Sequence, residues 1–550
     1  MIHINGSGML KSTHVHKTSK PIECDNTHQI FSSNDYQIML FLNKGVIGTP
    51  IDLKNNSRGF SGLSLLKIPR CMSTQHPDNV NTPFFAEHVE LGGEDEIQEA
   101  YYAYSHLGVD EQMWDCEGKE VDNYVVKKLL AKYEYYFREN RLGQDKFLTL
   151  RVPNPKIEKT EAKILLETLE SIPRSYDAAK SVYDDDISPI IEVILPMTET
   201  CSCIDRVYSY YKDFIVGKQH EPVKTGDVKV SEWIGEFKPE KINVIPLFED
   251  WPRMLNSAVV VEKYLQDKDA EYQRVFLARS DPAMNYGLLS AVLLNKIALQ
   301  RLYNLSKRIS VEIYPIIGVG SAPFRGNMKP QTVDWVMREY PSVHTFTIQS
   351  AFKYDYSPDE VRKGVQTIKD SRSYRPHSID EEKVLGILKR YSDEYQNQIM
   401  KLASVINVVA KHIPSRRKRK LHIGLFGYSR KLNGEKLPRA IKFTASLYSL
   451  GIPPEILGLN VLSNKDLEVI QDLYIFFKGD LRDSLQFYNP ESSYLPEGIN
   501  DKIKELNIDY EIDRHHLRQT KFIINSIKRD KTADIQEYVL QAANRRRFLG

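Results

Sequence analysis

"YQRVFLARSDPAMNYG", residues Tyr272–Gly287, is the stretch that decides the fold, because it contains a complete transition from strand to helix. It begins with a mainly apolar run of strand length, which predicts a buried strand. Polar residues follow at Arg279 and Asp281, and Pro282 suits the first turn of a helix. Shortly downstream, "SAVLLNKIALQRL" (290–302) has apolar residues at helical spacing. The local order is therefore strand, polar turn, helix.

The same order recurs along the chain. Further apolar runs of strand length that end in polar residues are "KFLTLRVPNP" (146–155), "ISPIIEVILPMTET" (187–200), "KINVIPLFED" (241–250), "ISVEIYPIIGVGSAPFRGN" (309–327), "SVHTFTIQSAFKYD" (342–355) and "RKLHIGLFGYSRKL" (419–432). Helical periodicity lies between them, most clearly in residues 160–172 and 381–413. Repeated strand–helix units predict a parallel sheet with crossover helices.

Two parallel architectures place reactive groups at the ends of strands, the closed barrel and the open doubly wound sheet. An open sheet uses mainly its switch point, whereas many strand ends in this chain carry charged or glycine-rich segments. We therefore predict an α/β fold of the (β/α)₈ TIM-type barrel class. The helical stretches exceed what a simple barrel needs, so we expect many additional helices around it.

The composition is that of a soluble globular protein, with 550 residues of which 41% are hydrophobic and 27% charged. The net charge of +2 gives no general attraction to nucleic acids or to anionic membranes. We find neither a membrane span nor a signal peptide and expect a cytoplasmic protein. Residues 1–66 are polar with little periodicity and are predicted to form a weakly ordered or atypical extension. Residues 67–550 are predicted to be a single catalytic barrel domain with helical insertions.

Carboxylates at two strand ends are candidate metal ligands. Glu249 and Asp250 end one apolar run, and Asp281 follows another. Oxygen ligands of this kind suit Mg²⁺ or Mn²⁺, which also keep positions for water or substrate. The alternative is that each acid caps the helix that follows it.

The segment "GVGSAPFRGN" (318–327) is a candidate anion site. Its glycines Gly318, Gly320 and Gly326 would let the backbone approach a ligand closely, and Arg325 offers a planar fork for phosphate or carboxylate. It is neither a P-loop nor a dinucleotide fingerprint. A purely structural turn explains these residues equally well.

Several arginines, some at strand ends and two in the segment "SRSYRPHSID" (371–380), favour a small, highly anionic substrate. They are Arg151, Arg279, Arg372, Arg375 and Arg430. Each could instead form an ordinary surface ion pair. The basic run "RRKRK" (416–420) could bind nucleic acid, but it has no interleaved aromatic residues and is better interpreted as a solvated loop or helix end.

His76, in "MSTQHPDN" (72–79), admits two interpretations from the residues alone. It is either a surface turn residue stiffened by Pro77 or a reactive imidazole held in a site. An imidazole exchanges protons near neutral pH, which gives the second interpretation its chemistry.

Taken in order, these segments resemble phosphoenolpyruvate carboxylase of the short, archaeal type, from about Ile68 to Gly550. The motifs that carry the resemblance are "MSTQHPDN", "LRVPNP" (150–155), "ILPMT" (194–198), "VIPLFED" (244–250), "ARSDPAMNYG" (278–287), "GVGSAPFRGN", "IQSAFKYDY" (348–356), "LHIGLFGYSRKL" (421–432), "RAIKFTASLYSLGIPPEILG" (439–458) and "FLG" (548–550). The resemblance implies a helix-wrapped barrel, usually a homotetramer. It also implies carboxylation of phosphoenolpyruvate by bicarbonate to oxaloacetate and phosphate with Mg²⁺ or Mn²⁺, through carboxyphosphate and a metal-stabilised pyruvate enolate.

The resemblance assigns roles to individual residues. His76 matches the catalytic histidine, Glu249 and Asp281 match the metal ligands, and Arg325 matches an arginine of the glycine-rich loop. Arg151 and Arg430 resemble arginines at the mouth of the site, and the loop glycines and Arg279 are expected to bind substrate.

The sequence departs from the long form of the family at two positions. Val319 stands where the long form has the first arginine of its glycine-rich loop, and Met284 stands where it has a lysine. Arg279, Arg372 and Arg375 are candidate replacements for the missing arginine.

Two rival functions remain open at this stage. One is another Mg²⁺-dependent barrel lyase or aldolase acting on a pyruvate enolate. The other, from a different class, is nucleic-acid binding through residues 416–420.

Overall fold

The computed structural model describes residues 67–116, 122–159, 162–418, 430–432 and 435–550, with the backbone alone for residues 430–432 and 435. The predicted extension over residues 1–66 therefore lies outside the described residues. Most of the strand predicted within residues 419–432 does so as well. In the described part of the chain, no helix is long and apolar enough to cross a membrane.

Eight parallel strands close into a barrel, in which each strand pairs with the next and β8 pairs with β1. The strands are β1 (Cys71–Ser73), β2 (Glu111–Asp115), β3 (Phe147–Arg151), β4 (Glu192–Leu195), β5 (Asn243–Phe248), β6 (Tyr272–Ala278), β7 (Glu312–Gly318) and β8 (Thr345–Ile348). The predicted (β/α)₈ barrel is confirmed.

Helices surround the barrel and follow its strands. They are α1 (Glu94–Ser105), α2 (Val125–Lys132), α3 (Glu134–Glu139), α4 (Ala162–Tyr183), α5 (Cys201–Ser209), α6 (Val230–Ile234), α7 (Trp251–Leu265), α8 (Ser280–Tyr286), α9 (Leu288–Ile309), α10 (Val333–Glu339), α11 (Ser350–Tyr354), α12 (Pro358–Asp370), α13 (Glu381–Ala410), α14 (Ala440–Ser449), α15 (Asn464–Leu473), α16 (Phe477–Leu485), α17 (Ile499–Leu506), α18 (Arg514–Lys528) and α19 (Ile535–Arg546). The helices from α13 onwards are additional to those of the barrel units, as predicted.

Helix α9 shows how this layer changes the burial of the helices beneath it. An ordinary barrel helix buries one stripe, whereas every residue from Leu288 to Leu299 is buried. Helix α9 contacts α7 and the long α13, and α13 in turn contacts α14. Packing on both sides of α9 therefore explains why the run "SAVLLN" (290–295) is almost entirely apolar.

A two-stranded antiparallel hairpin lies apart from the barrel. It consists of β9 (Arg430–Leu432) and β10 (Glu435–Leu437). The sequence predicts a buried parallel strand within residues 419–432. The part of this stretch that the structure describes, residues 430–432, forms the antiparallel strand β9.

Candidate functional site

The carboxyl ends of the barrel strands lie on one rim, because the strands are parallel and the sheet is closed. His76 follows β1, Glu249 follows β5, Asp281 follows β6 and Arg325 follows β7, while Arg151 is the last residue of β3. Residues that are far apart in the sequence are therefore collected at one end of the barrel.

His76 is half-buried at this rim and lies in a loop that is fixed on both sides. Its Nδ1 is 2.9 Å from the hydroxyl oxygen of Thr74. Its backbone carbonyl accepts hydrogen bonds from the N–H groups of Asp78 (3.0 Å) and Ser350 (3.2 Å). The Thr74 hydroxyl lies 3.5 Å from the carbonyl oxygen of Ile348 at the end of β8. The imidazole is therefore held between the ends of β1 and β8.

Arg325 is buried, and its guanidinium donates four hydrogen bonds. Nε donates to Ser280 Oγ (3.1 Å), and Nη2 donates to Gln349 Oε1 (2.6 Å). Nη1 donates to Asp78 Oδ2 (3.3 Å) and to the carbonyl oxygen of Gly550 (2.7 Å). Burial lowers the pKa of Arg325, and the neighbouring Asp78 opposes that effect.

Asp78 joins the loop that carries His76 (residues 74–81, the histidine loop) to the glycine-rich loop (residues 318–327). Its carboxylate accepts from the backbone N–H groups of Ala351 (2.7 Å) and Ser321 (3.3 Å) as well as from Arg325. Burial is the main cause that raises the pKa of Asp78, and these donors counteract it. The sequence prediction missed this residue, although it stands two positions after His76 in the quoted motif.

Gly320 is required by the side chains packed against it. A Cβ at this position would lie 3.0 Å from Arg325 Cζ and 3.0 Å from Gln349 Oε1. The backbone of Gly320 also exchanges hydrogen bonds with the loop, since its N–H donates to the carbonyl of Arg325 (2.9 Å) and its carbonyl accepts from Met328 (2.9 Å). The glycine therefore makes room for the arginine fork.

The other two glycines also relieve close contacts. A Cβ on Gly318 would lie 2.9 Å from the ring of Phe276. At Gly326, where φ is +128°, a Cβ would lie 2.6 Å from Val319 Cγ1. Val319 is fully buried and packs inside the loop.

Glu249 and Asp281 follow neighbouring strands, because β5 pairs with β6 at Phe248↔Leu277. Glu249 is 5% exposed, and its Oε2 accepts from the backbone N–H of Met197 at 2.7 Å. Asp281 is half-buried in the first turn of α8. The two carboxylates at adjacent strand ends offer oxygen atoms only, the ligand type that Mg²⁺ and Mn²⁺ prefer.

The helix-capping alternative applies to Asp250, the neighbour of Glu249. Asp250 is the N-cap of α7 and accepts from the backbone N–H of Arg253 at 3.0 Å. The described residues contain no group of three His, Cys, Asp or Glu side chains arranged for a metal. A pair of protein ligands is the arrangement in which Mg²⁺ retains positions for water and substrate.

Arg279 is directed into the protein behind the glycine-rich loop. Its Nε donates to the Tyr340 hydroxyl (3.2 Å), and its Nη1 donates to the carbonyl of Phe324 (3.1 Å). Arg372, another candidate to replace the missing loop arginine, lines a cavity beside Arg70, which precedes β1. That cavity lies at the opposite end of the barrel from Val319.

The remaining two predicted arginines differ in what the structure describes. Arg151 is buried, and its Nη1 lies 2.9 Å from Oδ1 of Asp115 at the end of the neighbouring strand β2. Arg430 lies in β9, and its side chain is outside the described residues.

Lys353 is a second residue that the sequence prediction passed over. Its buried ammonium donates to Ser73 Oγ (3.0 Å), the Thr74 carbonyl (3.0 Å) and Glu99 (2.9 Å). It lies in the quoted "IQSAFKYDY" motif, so the motif was the available signal. Lys353 fixes the end of β1 directly before His76.

The interpretation of residues 416–420 as a solvated run is wrong for Arg416 and Arg417, which are buried. Arg417 donates to Glu96 (2.7 Å) and to Glu99 (2.8 Å), and Arg416 donates to the carbonyl of Val80 (2.8 Å). These arginines hold the histidine loop and α1, so neither presents a basic surface to nucleic acid.

The fold and rim together define a class of protein, a (β/α)₈ barrel enzyme whose candidate site combines a histidine, a buried arginine and two adjacent carboxylates at the carboxyl ends of the strands. The sequence profile of phosphoenolpyruvate carboxylase matches residues 68–550. The chain belongs to the phosphoenolpyruvate carboxylase family.

Curated relatives agree with this assignment. Phosphoenolpyruvate carboxylase of Methanothermobacter thermautotrophicus is 57% identical over 485 residues, which covers 88% of this chain and 100% of the relative. That of Methanospirillum hungatei is 55% identical with the same coverage, and that of Pyrococcus furiosus is 54% identical over 80% of this chain and 96% of its own. The resemblance to the short, archaeal form is confirmed.

Proposed function

We propose that the protein joins bicarbonate to phosphoenolpyruvate, giving oxaloacetate and phosphate. The observation that carries this proposal is the family match over residues 68–550. The rival aldolase or lyase on the same fold loses support, because the curated relatives named above are phosphoenolpyruvate carboxylases along nearly their whole lengths.

Mg²⁺ or Mn²⁺ is the cofactor that the carboxylate pair supports, with Glu249 and Asp281 as the residues that would hold it. When bound, such a cation neutralises negative charge on the substrate that would otherwise repel bicarbonate. The carboxylate of Asp281 also interacts electrostatically with the guanidinium of Arg325.

Arg325 is proposed to bind phosphoryl oxygens of the substrate. A guanidinium has five N–H donors, and the described residues supply four acceptors to it. The fifth N–H would donate to the substrate. The hydrogen bonds to Ser280, Asp78 and Gln349 set the orientation of the guanidinium that carries it. A pre-oriented, buried cation stabilises charge on a transferring phosphoryl group without having to reorganise.

His76 is proposed to take the carboxyl proton of carboxyphosphate. Bicarbonate oxygen first attacks phosphorus and displaces the pyruvate enolate. Loss of the proton then breaks the bond between carboxyl carbon and bridging oxygen, which releases CO₂ and phosphate, and the enolate attacks CO₂ to form oxaloacetate. The enolate must be kept from water throughout, because protonation would give pyruvate.

The environment of His76 supports the role of a base. The Ile348 carbonyl can only accept, so a Thr74 hydroxyl directed at it offers its lone pair to the imidazole at Nδ1. In that arrangement the proton resides on Nδ1, and Nε2 carries the lone pair that a general base needs.

Substitution of His76 by Asn tests this role. We expect oxaloacetate formation to fall about 10²- to 10⁴-fold, the usual contribution of a positioned general base, while bicarbonate-dependent phosphate release survives in part. A coupled assay for oxaloacetate and a parallel phosphate assay measure the two products. His220→Asn, at an exposed position, is the matched control and should leave both rates unchanged. Unaltered oxaloacetate synthesis in His76→Asn would remove His76 from the mechanism.

The same assay separates the proposed function from its rival. A carboxylase requires bicarbonate and releases phosphate with each oxaloacetate, whereas an aldolase or lyase does neither. We further propose a cytoplasmic homotetramer, in line with the family resemblance. Light scattering on the purified chain tests the tetramer, and a monomeric mass would contradict it.

A further inference from the structure

A cavity of about 380 Å³ lies at the amino-terminal end of the barrel, opposite the rim that carries the candidate catalytic residues. Its wall includes Arg70, which directly precedes β1, and Tyr314 near the start of β7. Ser342 and His344, directly before β8, complete that side. Pockets of this volume are large enough for a small organic ligand.

Arg70 is a buried cation with only neutral partners among the described residues. It is 9% exposed, and its Nη atoms donate to Ser373 Oγ (2.7 Å) and Ser371 Oγ (2.5 Å). Its Nε is buried and has no hydrogen-bond acceptor in the described structure. Burial lowers the pKa of Arg70 to about 10, the direction expected for a charge that no carboxylate compensates.

His344 does not supply the missing negative charge. Its Nδ1 is 3.4 Å from Arg70 Nη1, and its Nε2 is 3.1 Å from the carbonyl oxygen of Ile68. A carbonyl can only accept, so Nε2 carries the proton and Nδ1 faces the arginine as a neutral acceptor. Burial and the adjacent Arg70 lower the pKa of His344 to about 3, which keeps the ring uncharged.

A second buried polar atom of the wall also lacks a partner. Ser342 is 9% exposed, and its hydroxyl makes no hydrogen bond in the described structure. Each such group carries a desolvation cost that a ligand atom would relieve.

The rest of the wall combines positively charged and apolar side chains. Lys307 and Arg372 add positive charge, and Glu312 is the one acidic residue among those that line the cavity. Leucine, isoleucine, proline and tyrosine side chains form the apolar part, namely Leu299, Tyr303, Ile313, Tyr314, Pro315 and Tyr374.

We propose that this cavity binds a small carboxylate that carries an apolar, ring-sized body. The carboxylate would pair with the guanidinium of Arg70, which has only neutral partners, and the Ser342 hydroxyl of the same wall would be a further donor. Charge-assisted bonds to a guanidinium are the stronger class of hydrogen bond. The apolar body would lie against the tyrosine and aliphatic walls. The site is separate from the one proposed for phosphoenolpyruvate, because it lies at the other end of the strands.

Phenylacetate is the probe, and its uncharged isostere phenylacetamide is the ligand control. We expect calorimetry on the full chain to show one phenylacetate per chain, with phenylacetamide bound about tenfold more weakly or less, since it lacks the charge-assisted bond. Saturation with phosphoenolpyruvate should leave phenylacetate bound. Equal affinity for acid and amide, displacement by phosphoenolpyruvate, or no binding at millimolar acid would each overturn the proposal.

Variants locate the ligand. Arg70→Gln should weaken phenylacetate binding about tenfold or more, and the exposed Arg372→Gln should weaken it by a smaller factor. Arg375→Gln is the matched control, because Arg375 is exposed and does not line the cavity. If Arg70→Gln fails to fold, Ser342→Ala replaces it, since that hydroxyl has no bond within the protein to lose. Unchanged affinity in Arg372→Gln and Ser342→Ala, or an equal loss in Arg375→Gln, would refute the site.

Discussion

At the scale of single residues, the candidate site depends on polar groups whose hydrogen bonds are made inside the protein. Asp78 is fully buried and receives hydrogen bonds from two backbone N–H groups and from Arg325. A buried carboxylate of this kind is stable only while these donors stay in place. It therefore couples the position of the His76 loop to that of the arginine fork.

Gly320→Ala tests whether the arginine fork must be held closely. The added Cβ would lie 3.0 Å from both Arg325 Cζ and Gln349 Oε1, so these side chains must shift by a few tenths of an ångström. We expect kcat/KM for oxaloacetate formation to fall about tenfold or more, because small displacements of positioning groups are costly to catalysis. Steady-state kinetics measure this, and circular dichroism checks the fold.

Gly386→Ala is the matched control for that substitution. Gly386 lies in α13, and a Cβ there would meet no atom within 4 Å. Alanine in a helix interior should stabilise the protein by about 0.5–1 kcal/mol and leave the kinetics unchanged. Wild-type kinetics in Gly320→Ala would show that the glycine serves folding alone.

At the scale of elements, the apolar runs predicted six of the eight barrel strands, β3 to β8. Strand β1 has three residues, too few to show a pattern, and β2 is "EQMWD". Met113 belongs to the interior cluster of the barrel, so Glu111 and Asp115 share its face and point inward. Charged residues that are neutralised inside a barrel leave no apolar signature in the sequence.

The positions of the site residues could also be predicted in part from the sequence. Position at a strand end predicted the rim location of Glu249, Asp281 and Arg325, because parallel strands share an edge. It could not distinguish Arg279 from Arg325. That difference depends on Tyr340, which lies 61 residues away and accepts from Arg279.

A buried carboxylate between α11 and the histidine loop predicts that the stability of the protein depends on pH. Asp355 follows α11, and its carboxylate accepts from the backbone N–H groups of Val80 and Asn81, each at 2.8 Å. Burial raises the pKa of Asp355 to about 7. The folded chain therefore keeps this proton up to higher pH than the unfolded chain, in which an aspartate has a pKa of about 3.9.

The raised pKa of Asp355 fixes the direction in which the free energy of unfolding changes with pH. Where the native state alone is protonated, stability falls as pH rises, so wild type should lose stability between about pH 4 and pH 7 and level off above. Three pK units correspond to about 4 kcal/mol at most. Asp355→Asn has no titratable group at this position, so the melting temperature of wild type minus that of the variant should fall as pH rises towards 7. Parallel curves from pH 5 to pH 8 would contradict the shift.

At the scale of the whole molecule, the barrel interior has two zones. Apolar side chains from several strands form one cluster, which includes Met72, Ile245 and Phe276. The other zone is an ion triad, in which Arg274 of β6 donates to Glu111 of β2 (2.7 Å) and Glu192 of β4 (2.8 Å). The Arg274 side chain has no solvent exposure, so the triad joins three non-adjacent strands across the interior of the closed barrel.

Arg274→Met should destabilise the whole barrel. It leaves two buried carboxylates without a cation, and loss of one partner from a buried ion pair costs about 3–5 kcal/mol. We expect the urea midpoint of unfolding to fall by the corresponding amount, whereas the exposed Arg308→Met, which loses only a surface pair with Glu262, should cost under about 1 kcal/mol. Adding Glu111→Gln and Glu192→Gln to Arg274→Met should recover most of the loss, because the penalty arises from unpaired charge and not from missing attraction. A triple variant no more stable than the single one would contradict this explanation. It would show instead that Arg274 stabilises the barrel by linking strands through its hydrogen bonds. The guanidinium binds Glu111 of β2 and Glu192 of β4, and it also donates to the Thr345 hydroxyl of β8 at 3.2 Å.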